Sequence, residues 1–112
     1  MTTLITREEL ATAVEAGTVV LVDALGAAYH AQRHIPGAVP LAPGEAVDLA
    51  AGLLPDRQAA IVTYCSNAAC PNSGQVADQL TALGYTNVRK YREGIEDWAG
   101  AGLPLIEGQP TQ

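Results

Sequence analysis

The sequence predicts an α/β domain in which helices cover both faces of a parallel sheet. Three observations carry that expectation. The runs at 19–23 and 60–64 are largely apolar, the pattern of strands buried on both faces rather than one. Stretches with apolar residues at helical spacing alternate with them. The intervening segments are short and punctuated by Gly and Pro, with no linker and no internal repeat. At 112 residues, 48% hydrophobic and 16% charged, the chain has a globular composition and the length for one core, so residues 1–112 are read as a single domain.

Residues 2–5 predict a short strand. Thr6-Arg7-Glu8-Glu9 is a capping box, with Thr6 as N-cap and Glu9 reaching back; Leu10, Ala13 and Val14 form the stripe of the helix it opens, and Gly17 supplies a left-handed cap. The strand at 19–23 ends on Asp23, where a carboxylate can organise a loop. Ala27, Ala28, Tyr29 and Ala31 mark a short helix at 26–33. His34-Ile35-Pro36-Gly37-Ala38-Val39-Pro40-Leu41 reads as a proline-glycine turn followed by a short extended piece. Ala46, Val47, Leu49, Ala50 and Leu53 mark a helix at 44–54, closed by Pro55-Asp56. The strand at 60–64 is central. Val76, Ala77, Leu80 and Leu83 share one face of a helix at 73–83, with Ser73 as its N-cap and Gly84 ending it. Residues 87–91 form a strand of mixed pattern expected nearer a surface. Residues 94–99 form a short helix carrying Ile95 and Trp98, and a Gly/Pro-rich tail closes the chain.

In parallel sheets of this kind ligands bind beyond the carboxyl ends of the strands. Asp23 and Cys65 both fall at such ends. Cys65 opens a loop of Ser66, Asn67, Ala68, Ala69, Cys70, Pro71 and Asn72 that leads to Ser73, and it holds both cysteines of the chain. A thiol between a strand end and a helix N-terminus sits where a thiolate can be stabilised. Two cysteines are too few for a disulfide scaffold, so the reading favours catalysis or redox use. The net charge of −6 argues against nucleic acid and anionic membranes as partners. No apolar run approaches a membrane span, and Met1-Thr2-Thr3-Leu4-Ile5 has no basic region ahead of an apolar core, so the expected location is the cytoplasm.

Four segments in order resemble the single-domain rhodaneses. Val20-Leu21-Val22-Asp23 is similar to the family's first strand with its terminal Asp. His34-Ile35-Pro36-Gly37-Ala38 matches its His-Ile-Pro-Gly-Ala segment, and Tyr64-Cys65 falls where its active-site cysteine follows a strand. Leu83-Gly84-Tyr85-Thr86-Asn87-Val88 and Gly94-Ile95-Glu96-Asp97-Trp98 through Gly102-Leu103-Pro104 resemble its C-terminal signature. The resemblance implies a five-stranded parallel sheet flanked by helices. It also implies sulfurtransferase chemistry: Cys65 takes sulfane sulfur from a small donor, thiosulfate or a persulfide, and passes it to a thiol or a protein acceptor. Loop N–H groups and the helix dipole are then expected to favour the thiolate and the persulfide. No cofactor is implied.

Two departures bear on substrate. Family loops run six residues from the cysteine and commonly carry Gly and Arg; here Cys65 to Asn72 is eight residues with no Arg or Lys. Asp23 is followed by Ala24-Leu25, where the family often has Arg two positions on. Both departures weigh against thiosulfate and against a phosphatase, since they remove guanidinium groups that would hold such oxyanions. A thiol-type sulfur donor is easier to accommodate.

Cys70 has two readings: a resolving thiol able to form a disulfide with Cys65, or a small residue packing the loop. A thiol-redox protein using Cys65 and Cys70 is the first alternative to sulfur transfer, and a non-catalytic module binding a protein partner is the second. Asp23 and His34 are expected to be structural supports, the first through backbone N–H groups and the second by fixing the turn. His30 and His34 with the two cysteines suggest zinc, but Pro36 and the turn favour the structural role, so no metal is expected. Ser73 is secondarily a donor to a loop sulfur. Tyr91 and Trp98 are expected to pack, and Arg89, Lys90 and Arg92 to form a solvated strand end or a small basic patch.

Overall fold

The computed structural model describes residues 3–107. In chain order its elements are β1 (Thr3–Leu4), α1 (Arg7–Ala16), β2 (Val20–Asp23), α2 (Ala27–Gln32), β3 (Arg33–His34), β4 (Val39–Pro40), α3 (Ala46–Leu53), β5 (Ile61–Tyr64), α4 (Asn72–Ala82), β6 (Val88–Tyr91), α5 (Gly94–Gly100) and β7 (Ile106–Glu107). Five strands form one parallel sheet in the order β1-β6-β5-β2-β4. All four residues of β5 are buried, as the centre of a doubly covered sheet requires. The register sets Tyr64 beside Asp23 on one flank and Tyr91 on the other, so β2, β5 and β6 end level. Asp23 and the loop after Tyr64 therefore leave the sheet at the same edge.

Strand alternation splits the core in two. Val22, Ile61 and Cys65 pack with Ala46 and Ala50 of α3 and with Val76 and Leu80 of α4. Leu21, Val62 and Tyr64 pack on the opposite face with Leu10 of α1 and with Ile95 and Trp98 of α5. The side-chain period of two sends the neighbours Tyr64 and Cys65 to opposite faces. The capping box forms as the sequence predicts: the Glu9 N–H donates to the Thr6 hydroxyl, and Glu9 accepts from the Thr6 N–H. Gly17 ends α1 at φ 70°. Tyr91 and Trp98 are buried in an edge-to-face pair with centroids 6.2 Å apart, and the indole N–H donates to the Pro104 carbonyl at 2.7 Å.

Two expectations are corrected. Ser73 does not cap α4: the helix starts at Asn72 with Pro71 at the cap position, and no side chain caps it. Pro71 already has helical backbone angles, φ −82° and ψ −9°, so the helix begins ahead of Ser73, which is turned inward and 1% exposed. The mixed-pattern strand expected nearer a surface, β6, lies between β1 and β5 with its first three residues half-buried, less covered than β5. The tail contributes β7, which pairs antiparallel with β3, Ile106 opposite His34 and Glu107 opposite Arg33. Two residues are too few to display an alternation, so this ribbon leaves no periodic signal. Residue 2 of the first predicted strand and residues 108–112 lie outside the described residues.

Candidate active site

The loop after β5 is held by backbone rather than by charge. The Ile95 N–H donates to the Cys65 carbonyl at 2.8 Å, and the Glu96 N–H to the Ser66 carbonyl at 3.0 Å. That close approach requires Gly94, which has φ 78°; a Cβ there meets the Ser66 carbonyl carbon and oxygen at 2.5 Å and the Cys65 carbonyl oxygen at 2.6 Å. Asn67 folds the far side of the loop. Its side-chain oxygen accepts from the Ala69 N–H at 3.0 Å, its carbonyl accepts from the Cys70 N–H at 3.1 Å, and its amide donates to Glu96 at 3.1 Å. Ala68 and Ala69 form the exposed tip, and the Asn72 amide ties the start of α4 to the Ala24 carbonyl at the end of β2.

Cys65 is 1% exposed, with its sulfur turned towards the α3/α4 core. The sulfur lies 3.3 Å from the Cys70 carbonyl oxygen and 3.6 Å from the Ser73 hydroxyl. Both cysteines are free thiols. Burial pushes the Cys65 thiol above its ordinary pKa, the Cys70 side chain adds to that rise, and the Ser73 hydroxyl and N–H oppose it. The nearest loop group is the Cys70 carbonyl oxygen, which accepts from S–H, while the N–H that favours the anion is that of Ser73. The serine expected as a cap instead supplies the sulfur's hydroxyl partner, and its carbonyl accepts from the Thr63 hydroxyl at 3.0 Å.

On the other face of the strand ends runs a buried polar chain. The Ile35 N–H donates to the Tyr64 hydroxyl at 3.1 Å, which donates to Asp23 Oδ2 at 3.3 Å, while Asp23 Oδ1 accepts from the Leu25 N–H at 2.9 Å. Burial raises the pKa of Asp23 and, with the Asp23 charge adding to it, that of Tyr64. His30 and His34 stack with ring centroids 3.7 Å apart. His30 Nε2 bonds the Ala38 carbonyl at 2.7 Å and His34 Nδ1 the His30 carbonyl at 2.8 Å, so one nitrogen of each ring is committed to the backbone of the turn. Among the described residues no three His, Cys, Asp or Glu side chains gather as a metal site. Arg92 is ion-paired with Glu93 at 3.1 Å rather than opening a basic patch.

Sequence reasoning missed Tyr64, Gly94 and Glu96 as parts of this site. Gly94 and Glu96 stand in a segment whose family resemblance was legible, but the partner of that segment was not. A cavity of about 190 Å³ adjoins the loop, lined by Leu25, Tyr29, Gln32, Arg33, Ser66, Ile95 and Glu96.

An open-edged α/β domain whose central strand delivers a buried thiol to a folded loop defines a class of small thiol-bearing domains. Residues 6–101 match the model of the rhodanese-like domain, and the chain belongs to that family. It is 38% identical over 110 residues to an HTH-type transcriptional regulator of Mycobacterium tuberculosis, covering 96% of this chain and 46% of that protein. The chain thus spans about half the length of the curated relative it matches. A rhodanese with anions from E. coli superposes with a TM-score of 0.66 at 27% identity, over 80% of this chain and 99% of that one. A thiosulfate sulfurtransferase from Pseudomonas aeruginosa superposes with a TM-score of 0.77 at 24% identity, over 96% of this chain and 21% of that one. No helix among the described residues is long and apolar enough to cross a membrane.

Proposed function

We propose that this domain carries sulfane sulfur on Cys65 and passes it to a thiol. The observation that carries the reading is the place of Cys65 in a rhodanese-like chain, at the end of the central strand with the Ser73 hydroxyl 3.6 Å from its sulfur. The Cys65 thiol first loses its proton to solvent. The thiolate attacks the outer sulfur of a persulfide donor; the donor's S–S bond breaks, and the donor leaves as a thiolate that takes up a proton. In the second half, an acceptor thiolate attacks the outer sulfur of the Cys65 persulfide, and Cys65 leaves as thiolate. The Ser73 hydroxyl and N–H, which oppose the rise in the thiol pKa, offer hydrogen bonds to both anionic forms. The loop from Cys65 to Asn72 holds no cation, which favours thiol-type donors over thiosulfate.

The nearness of Cys70, a free thiol whose carbonyl oxygen lies 3.3 Å from the Cys65 sulfur, favours a second branch for the persulfide. The Cys70 thiolate attacks the inner sulfur, hydrosulfide leaves, and a Cys65–Cys70 disulfide remains that an external thiol must reduce. A regulatory role beside a DNA-binding segment, suggested by the name of the mycobacterial relative, would use the same persulfide or disulfide as its signal. Intact-mass measurement after treatment with cysteine persulfide tests the reading. The expected result is a gain of one sulfur atom, lost in Cys65→Ser and retained, longer-lived, in Cys70→Ser. An adduct that survives Cys65→Ser and vanishes in Cys70→Ser overturns the assignment; no adduct on the folded wild type overturns sulfur carriage.

A further inference from the structure

Arg33 is half-buried at the junction of α2 and β3, and its side chain makes no hydrogen bond or ion pair among the described residues. Glu107 stands opposite it in the β3–β7 pairing without forming a salt bridge. Arg33 lines the cavity of about 190 Å³ beside the loop, whose wall includes Ser66, the chain neighbour of Cys65. A guanidinium with no partner among the described residues is a ready fork for a carboxylate. The same cavity is lined by Glu96, one of whose oxygens is held by the Asn67 amide at 3.1 Å. An oxyanion carrying two negative charges gains from Arg33 and is repelled by Glu96; a zwitterion satisfies both. The volume is below the roughly 300–1,000 Å³ of pockets for drug-sized ligands, and suits a molecule of amino-acid size.

We infer that this cavity is the recognition site for an α-amino-acid thiol of the cysteine class, carboxylate on Arg33 and ammonium towards Glu96, with the sulfur end directed to the loop at Ser66. Arg33 thereby supplies from outside the loop the cation that the loop lacks. The inference deepens the sulfur-carrier reading by naming the thiol that gives or takes the sulfur. Because the Cys65 sulfur is buried, the loop parts for transfer while the cavity holds the non-reacting end.

Two measurements on the whole protein separate this site from the chemistry. The first uses S-methyl-L-cysteine, which cannot exchange sulfur, titrated by NMR. Expected are shifts at Ser66 and the Arg33 side chain, with affinity lowered about tenfold or more by Arg33→Gln and by esterifying the ligand, and lowered by Glu96→Gln and by N-acetylation. Equal binding of the ester, indifference to Arg33→Gln, or no binding overturns the site whatever happens at Cys65. The second follows sulfur transfer from the loaded protein. Arg33→Gln should raise KM for L-cysteine about tenfold with kcat retained, and leave 2-mercaptoethanol unaffected. A parallel loss with both acceptors overturns recognition by Arg33. Failure of the wild type to load sulfur would refute the carrier reading while the binding titration still decides the site.

Discussion

Tyr64 and Cys65 are neighbours in the chain, yet they face opposite sides of the sheet and opposite kinds of chemistry. Tyr64 joins a buried polar chain from the Ile35 N–H to Asp23, in which each side-chain oxygen has a partner. Cys65 enters an apolar cluster where its polar neighbours are a carbonyl oxygen, the Cys70 side chain and the Ser73 hydroxyl. The first side is built to hold fixed groups in place, because a buried polar atom left without its partner costs about 1–3 kcal/mol. The second surrounds a buried sulfur whose thiol burial pushes above its ordinary pKa. The carboxylate at the end of β2 is thus bonded within the polar chain, on the face of the strand ends away from the Cys65 sulfur.

The largest effect is expected where the two sides are clamped together. Gly94→Ala forces a left-handed residue to carry a Cβ, costing about 1–3 kcal/mol in backbone strain alone, and drives it into the carbonyls of Cys65 and Ser66. Thermal or denaturant unfolding should show a loss beyond that figure. Retention of wild-type stability would mean that the loop is not fixed by this contact. Next in size, Tyr64→Phe leaves the Ile35 N–H and Asp23 Oδ2 without their partner and should cost about 1–3 kcal/mol. Denaturant midpoints measure this, and sulfur loading by the folded variant should persist.

The sulfur side is sharpened by reactivity. Alkylation with iodoacetamide, followed by peptide mass, should modify half-buried Cys70 before Cys65. The Cys65 rate should keep rising with pH above the ordinary thiol range, because its raised pKa shifts thiolate formation upward. A Cys65 that alkylates fully at neutral pH would contradict a resting thiol.

The smallest effect separates two carboxylates by sign. Burial raises the Asp23 pKa, so its contribution to stability is fully present below the unfolded value near 3.8 and is lost as pH rises through its folded value. Asp97 is lowered by the Tyr91 hydroxyl and by Arg7, so its contribution is present above that value and lost as pH falls through its folded pKa. Melting temperatures against pH should therefore tilt in opposite directions in Asp23→Asn and Asp97→Asn, each relative to wild type. Tilts of the same sign would refute the assignment.

Much of the frame was legible because strand and helix periods are written in single residues. The apolar run ending at Asp23, the capping box of Thr6 and Glu9, and the glycine at 17 act locally, and they appear where the residues place them. The fold and its family were legible for the same reason. Ser73 was misplaced because Pro71 satisfies the first-turn geometry ahead of it, leaving the hydroxyl free to turn inward. The Cys65 environment was not legible, since the pKa of a thiol depends on how deeply the fold buries it and on which side chains then face it. Arg33 was missed because it comes to the cavity beside Ser66 from a different connection, at the junction of α2 and β3. Short sheet pairs such as β3–β7 and tertiary cavities carry no periodic signature.

The central claim is that the sulfur rides on Cys65. The most direct measurement is to load the wild-type protein with cysteine persulfide, block free thiols, and determine by peptide mass which cysteine bears the added sulfur. The account predicts one extra sulfur atom on the peptide residue Cys65, removed when excess L-cysteine is added. Sulfur found on Cys70 alone, or a folded protein that accepts none, would contradict it.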